Sequence, residues 1–193
     1  PKNEVLVTVG ASEGVDAVLR AILNPDDELI VVQPCYVNYV PLAQLCKAKI
    51  VPIDSSVNGY YPTAEQIKKA ITPKTKAIMI CSPNNPTGTM IPADELKKIA
   101  QVVVDNQIWC ISDEIYCELR YEDAKHVSIG SFDGMKDYAI ILNGFSKSFA
   151  MTGWRIGYIC APAEVLAQIV KLHGYNTICA PIFSQYAAVE GLR

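Results

Sequence analysis

Short runs rich in β-branched residues alternate along the chain with segments in which apolar residues recur every three or four positions. The first pattern predicts buried strands and the second amphipathic helices. Their alternation predicts an α/β fold, a mostly parallel sheet covered by helices on both faces in three α/β/α layers. Seven strands are expected: Val5–Val9, Glu28–Val32, Lys49–Ile53, Ala77–Cys81, Trp109–Asp113, Ala139–Asn143 and Arg155–Cys160. Val15, Val18, Leu19, Ile22 and Leu23 mark one face of a helix that Asn24-Pro25 should stop. Thr63 and Gln66 have the spacing of a capping box ahead of Ile67, Ala70 and Ile71. Pro92 suits a first helical turn, with Leu96, Ile99, Ala100 and Val103 as its buried stripe. A further helix should start near Pro162 and bury Val165, Leu166, Ile169 and Leu172, and another should run from Ser184 to the end.

Composition narrows the class. Of 193 residues, 50% are hydrophobic and 19% charged, which excludes a disordered chain and fits one domain with one core. The net charge of -3 is spread over 17 basic and 20 acidic residues without a basic block, so nucleic-acid binding by bulk charge is not expected. The start, Pro1-Lys2-Asn3-Glu4, has no signal-peptide pattern, and no apolar run approaches a membrane span of roughly 20 residues. A soluble cytoplasmic protein is expected. Its seven cysteines form no C-x-x-C pair and lie mostly in apolar runs, so they read as reduced core thiols rather than metal ligands or disulfides.

The chemistry-bearing residues gather where predicted strands end, which is where open α/β sheets hold ligands. After the first strand, Gly10-Ala11-Ser12 runs straight into a helix and offers N–H groups and a hydroxyl to an anion, although a plain serine N-cap would read the same. Ser82–Gly88 contains two prolines and a glycine that hold Asn85 rigidly at the sheet edge. Asp113 follows the apolar run Trp109–Ile111, so its carboxylate should be desolvated and in need of a cationic partner. Lys147 sits among aromatic and small residues in Asn143–Phe149, where an amine can become a nucleophile toward an aldehyde. Eight residues on, Arg155 opens the seventh predicted strand and suits bidentate phosphate recognition. A lysine for an aldehyde, an acid for a ring nitrogen, and an arginine with a helix start for a phosphate together describe a pyridoxal 5'-phosphate site.

With SPNNPTG at Ser82–Gly88, SDEIY at Ser112–Tyr116 and NGFSKSFAMTGWRIGY at Asn143–Tyr158, the sequence resembles the fold-type I, class I/II aminotransferases, nearest the aspartate- and aromatic-amino-acid-type branch. The resemblance spans essentially the whole chain. It implies strand order 3-2-4-5-6-7-1 with strand seven antiparallel. It also implies a Schiff base on Lys147, a proton shuttle by the same amine, Asp113 on the pyridine nitrogen, Tyr116 and Asn85 on the phenolic oxygen, and Tyr36 stacked on the ring. The phosphate cup would comprise the Ala11 and Ser12 N–H groups, the Ser12 hydroxyl and Arg155. Many members carry a phosphate-binding serine three residues before the lysine, where this chain has Gly144; either Ser146 substitutes or that contact is missing.

Family enzymes are much longer, so residues 1–193 are expected to be the cofactor-binding large domain, without the N-terminal segment and C-terminal small domain. The implied activity is amino transfer between an L-amino acid and a 2-oxo acid, in a homodimer. Two alternatives remain at this level: a C–S lyase or synthase on the same fold, and a non-catalytic cofactor-binding domain of a regulator.

Overall fold

The computed structural model describes residues 2–121 and 123–193; Pro1 and Glu122 lie outside the described residues. Seven strands, β1 (Val5–Thr8), β2 (Glu28–Gln33), β3 (Lys49–Asp54), β4 (Thr75–Cys81), β5 (Trp109–Asp113), β6 (Ala139–Gly144) and β7 (Gly157–Cys160), form one sheet. The order across it is β1-β7-β6-β5-β4-β2-β3, which is the expected order. β2, β3, β4, β5 and β6 pair in parallel, while β7 runs antiparallel to both β6 and β1.

The central strands have no polar face because both faces are covered, whereas Val5 and Val7 of edge strand β1 are exposed. Along β2, Leu29 and Val31 enter one core while Ile30 enters the other, and along β4 Ala77 and Met79 oppose Ile78 and Ile80 in the same way. The first core is closed by α1 (Gly10–Ile22), α2 (Tyr39–Leu45) and α5 (Ala163–Asn176), which contribute Val18, Leu19, Tyr39, Ala43, Leu166 and Ile169. The second is closed by α3 (Ala64–Ala70) and α4 (Ala93–Asn106), through Ile67, Leu96, Ile99, Ala100 and Val103. α6 (Ile182–Gly191) covers a smaller cluster around Phe145, Ile156, Ala180 and Ala188.

Local signals account for most helix ends. The Thr63 hydroxyl accepts from the Gln66 N–H at 3.2 Å and the Gln66 side chain accepts from the Thr63 N–H at 2.9 Å, so the capping box forms as spaced. Four expectations need correction. β1 stops at Thr8 and Val9 is the N-cap of α1, so Ser12 lies inside the first turn instead of capping it. Arg155 does not open a strand; it stands in left-handed backbone at φ 50° and β7 begins at Gly157. Leu172 is only half-buried, and the buried fourth residue of α5 is His173. Among the cysteines only Cys110 is fully buried, and Cys179 is exposed because it follows α5 on the surface. All seven are free thiols. Among the described residues no helix is long and apolar enough to cross a membrane.

Candidate functional site

One cavity of about 250 Å³ opens at the strand ends and is lined by Ala11, Ser12, Tyr36, Asn85, Asp113, Tyr116, Ser146, Lys147 and Arg155. These are all nine residues singled out in the sequence. Val15, Tyr39, Ile115 and Thr152 complete the lining and were not expected there.

Asp113 ends β5 and is 5% exposed. Its Oδ2 accepts from the Tyr39 hydroxyl at 2.6 Å and its Oδ1 from the Ile115 N–H at 3.1 Å. Burial pushes the carboxyl above its ordinary value, these two hydrogen bonds pull it back, and neighbouring Glu114 pushes it further up. Among the described residues no cation pairs with it, contrary to the partner expected for a desolvated acid. The Tyr39 hydroxyl is itself pushed well above its usual range, chiefly by burial and then by Asp113.

Glu114 turns to the opposite side of the strand end, as alternation requires. There it accepts from Ser112 at 3.0 Å and Ser128 at 2.8 Å and meets His126 Nε2 at 3.0 Å, tying the irregular segment after β5 to the strand.

The loop after β4 is held by Asn84, whose Nδ2 donates to the Pro34 carbonyl at 3.1 Å and to Thr87 Oγ1 at 3.0 Å. That leaves Asn85 facing the cavity, where its Nδ2 donates to the Tyr116 hydroxyl oxygen at 3.2 Å. Burial raises the Tyr116 phenol above its ordinary value and the bond from Asn85 opposes that rise. Lys147 Nζ stands 5.6 Å from the centroid of the Tyr116 ring. The lysine is exposed, whereas its apolar surroundings in the sequence suggested a desolvated amine.

The anion end is built by close approach. Gly10 has φ +75°, and a Cβ there would sit 2.5 Å from Arg155 Nη2, so the guanidinium occupies the space over the start of α1. Arg155 Nη1 donates to the Thr152 carbonyl at 2.8 Å, and Thr152 Oγ1 donates to the Ser146 carbonyl at 2.9 Å. Thr152 thus links the arginine to the turn that carries Lys147. Val9 has no side chain able to cap α1, so the first-turn N–H groups keep the free donors of an uncapped helix start. Gly144 does not line this cavity: a Cβ there would meet Gly157 Cα and the Ile156 carbonyl at 2.9 Å. Buried Ser146 does line it.

These groups fit pyridoxal 5'-phosphate. A buried acid with only neutral partners suits a protonated ring nitrogen, a guanidinium over free N–H groups suits a phosphate, and an exposed amine suits an aldehyde. Among the described residues no cluster of His, Cys, Asp and Glu could hold a metal ion.

Fold and site together define the class, since this sheet matches the large domain of pyridoxal-phosphate-dependent transferases. The chain belongs to the family Aminotransferase class I and II, whose sequence model matches residues 1–193, and members of that family use pyridoxal 5'-phosphate. It is 44% identical to the putative aminotransferase YugH of Bacillus subtilis over 100% of this chain and 50% of that protein. It is 41% identical to an aspartate aminotransferase of Pyrococcus abyssi, again over 100% of this chain and 50% of that protein. Among solved structures, the aromatic aminotransferase from Pyrococcus horikoshii OT3 superposes with a TM-score of 0.96 at 40% identity, covering 100% of this chain and 52% of that one. The chain therefore spans about half the length of the curated relatives it matches.

Proposed function

We propose that this chain is the cofactor-binding domain of an aminotransferase that moves an amino group between an L-amino acid and a 2-oxo acid. The observation that carries the reading is buried Asp113, paired with neutral donors only, in a cavity that also holds Lys147 and Arg155. When bound, pyridoxal 5'-phosphate supplies an aldehyde that an amine can attack and a ring that accepts the electron pair released at the substrate α-carbon.

The protein's share of the work is positioning and proton control. Lys147 Nζ is the amine placed to hold the cofactor and, once free, to take a proton from the substrate α-carbon and return it. Asp113 would hold a proton on the ring nitrogen, and Tyr39 holds Asp113. The Tyr116 oxygen already accepts from Asn85, so its own O–H is free to donate to the ring oxygen. Tyr36, on the cavity wall, would cover the ring. Arg155, the Ala11 and Ser12 N–H groups and the Ser12 and Ser146 hydroxyls bind the phosphate.

Aspartate and aromatic amino acids, the donors named for several of the relatives, are the first to test. We take the active form to be a homodimer, and the seven free thiols suit a reducing compartment such as the cytoplasm. The test is a half-reaction in which the pyridoxal-phosphate-loaded protein is mixed with L-aspartate or L-phenylalanine. Accumulation of pyridoxamine 5'-phosphate with release of the matching 2-oxo acid is the expected result. Release of ammonia and pyruvate from a β-substituted amino acid, with no pyridoxamine 5'-phosphate formed, would replace amino transfer by elimination.

A further inference from the structure

His173 is 4% exposed in the last turns of α5, on the side packed against α1. Its Nδ1 lies 3.2 Å from Glu13 Oε1, and because a carboxylate only accepts, Nδ1 carries the proton of this bond. Glu13 Oε2 accepts from the Val9 N–H at 3.2 Å. Thr177 Oγ1 lies 3.1 Å from the same Nδ1 and donates to the His173 carbonyl at 3.1 Å, so its oxygen shares the one Nδ1–H with Glu13. One carboxylate therefore joins the N-cap of α1 to a buried histidine 160 positions away.

Its place gives this bond a consequence for the cavity. Ala11 and Ser12 line the site, and Glu13, the next residue, does not. A carboxylate in a first helical turn is drawn to the same free N–H groups and dipole that an anion would use. Left unpaired, Glu13 would compete with a bound phosphate; held by His173 and Val9, it is kept out of the cavity.

We propose that Glu13 and His173 form a strut that sets the first turn of α1 for phosphate, with His173 as a positioning residue that withholds the Glu13 charge from the anion site. The proposal rests on the pyridoxal phosphate reading, and it is separable from it. The protein and its variants are titrated by absorbance with pyridoxal 5'-phosphate and with pyridoxal, which lacks the phosphate. His173→Leu should weaken pyridoxal 5'-phosphate about tenfold while leaving pyridoxal unchanged. His173→Asn, whose amide nitrogen can replace Nδ1 as donor, should keep both affinities. Adding Glu13→Gln to His173→Leu should restore the phosphate affinity, because the neutral amide does not oppose an anion. Retained pyridoxal binding reports that each variant is folded, and His173→Ser takes the place of the leucine variant if that one does not fold. Equal loss of both ligands, unchanged pyridoxal 5'-phosphate affinity in the leucine variant, or no recovery in the double variant would overturn the strut. Failure of the unaltered protein to bind either compound would instead sink the cofactor reading, and the strut with it.

Discussion

The Tyr39 hydroxyl donates a 2.6 Å hydrogen bond to the buried Asp113 carboxylate across two elements 74 positions apart in the chain. Tyr39→Phe leaves one carboxylate oxygen buried without its donor, which should lower stability by about 1–3 kcal/mol at neutral pH. The bond pulls the Asp113 pKa down, so its loss raises that pKa further in the folded state. The destabilisation should therefore be full above the carboxyl's titration and shrink as pH falls through it. Urea titrations of both proteins across that range give the comparison, and a deficit that grows toward low pH would contradict the assignment.

Asp113 also marks where stability yields to function. Burial raises its folded pKa, so the folded state holds a proton that the unfolded chain has released, and stability falls as pH rises through the interval between the two values. Asp113→Asn removes that penalty, and its amide can donate to the Tyr39 oxygen while its carbonyl accepts from the Ile115 N–H. The cofactor-free variant should be more stable than the parent at neutral pH, with the advantage disappearing below the ordinary carboxylate range. Exchange of the substrate α-proton by the loaded protein should fall at the same time. A variant that gains no stability would contradict the burial penalty, and one that keeps full exchange would show that Asp113 does not hold the proton on the ring nitrogen.

At Gly10 the requirement for glycine is double, since φ is +75° and the Arg155 guanidinium lies where a Cβ would go. Gly10→Ala should cost roughly 1–2 kcal/mol in backbone strain alone. It should also push Arg155 aside and weaken pyridoxal 5'-phosphate relative to pyridoxal. Denaturant midpoints and the two titrations measure both effects; an alanine variant with parental stability and affinity would refute the close approach.

Gly144→Ser tests whether the serine found there in many family members would help this chain. The new Cβ would meet two backbone atoms at 2.9 Å, neither of which can swing away. Overpacking of this kind should destabilise the protein by about 1–3 kcal/mol, without any gain in pyridoxal 5'-phosphate affinity. Tighter binding in the serine variant would show that the position faces the phosphate after all.

The strands and the loops that carry much of the cavity lining are readable because both are written in local sequence, whereas the order of the strands follows only from the family resemblance. Apolar runs give strands, and the residue after each run lands at a strand end, so Asp113, Asn85, Lys147 and the Gly10–Ser12 turn can be gathered from the sequence pattern. What the pattern does not show is set by contacts remote in sequence or by short elements. α2 is seven residues long, contains Pro41 and has no side-chain cap, so no periodic stripe announces it. Tyr39 is hidden with it, although its place three residues after Tyr36 is a usable signal once a helix is suspected. The Glu13–His173 and Glu114–His126 pairs leave no trace in spacing because each depends on how distant elements pack. The apolar neighbours of Arg155 suggest a strand, but its left-handed backbone is imposed by the turn before β7.

The account stands or falls on Lys147 being the amine that holds pyridoxal 5'-phosphate. Borohydride reduction of the protein incubated with pyridoxal 5'-phosphate, followed by peptide mass spectrometry, tests it most directly. The expected result is one pyridoxyl-phosphate adduct, on the peptide containing Lys147, and none on that site or elsewhere in Lys147→Ala. An adduct that persists undiminished in Lys147→Ala, or that is scattered over surface lysines in the unaltered protein, would contradict it.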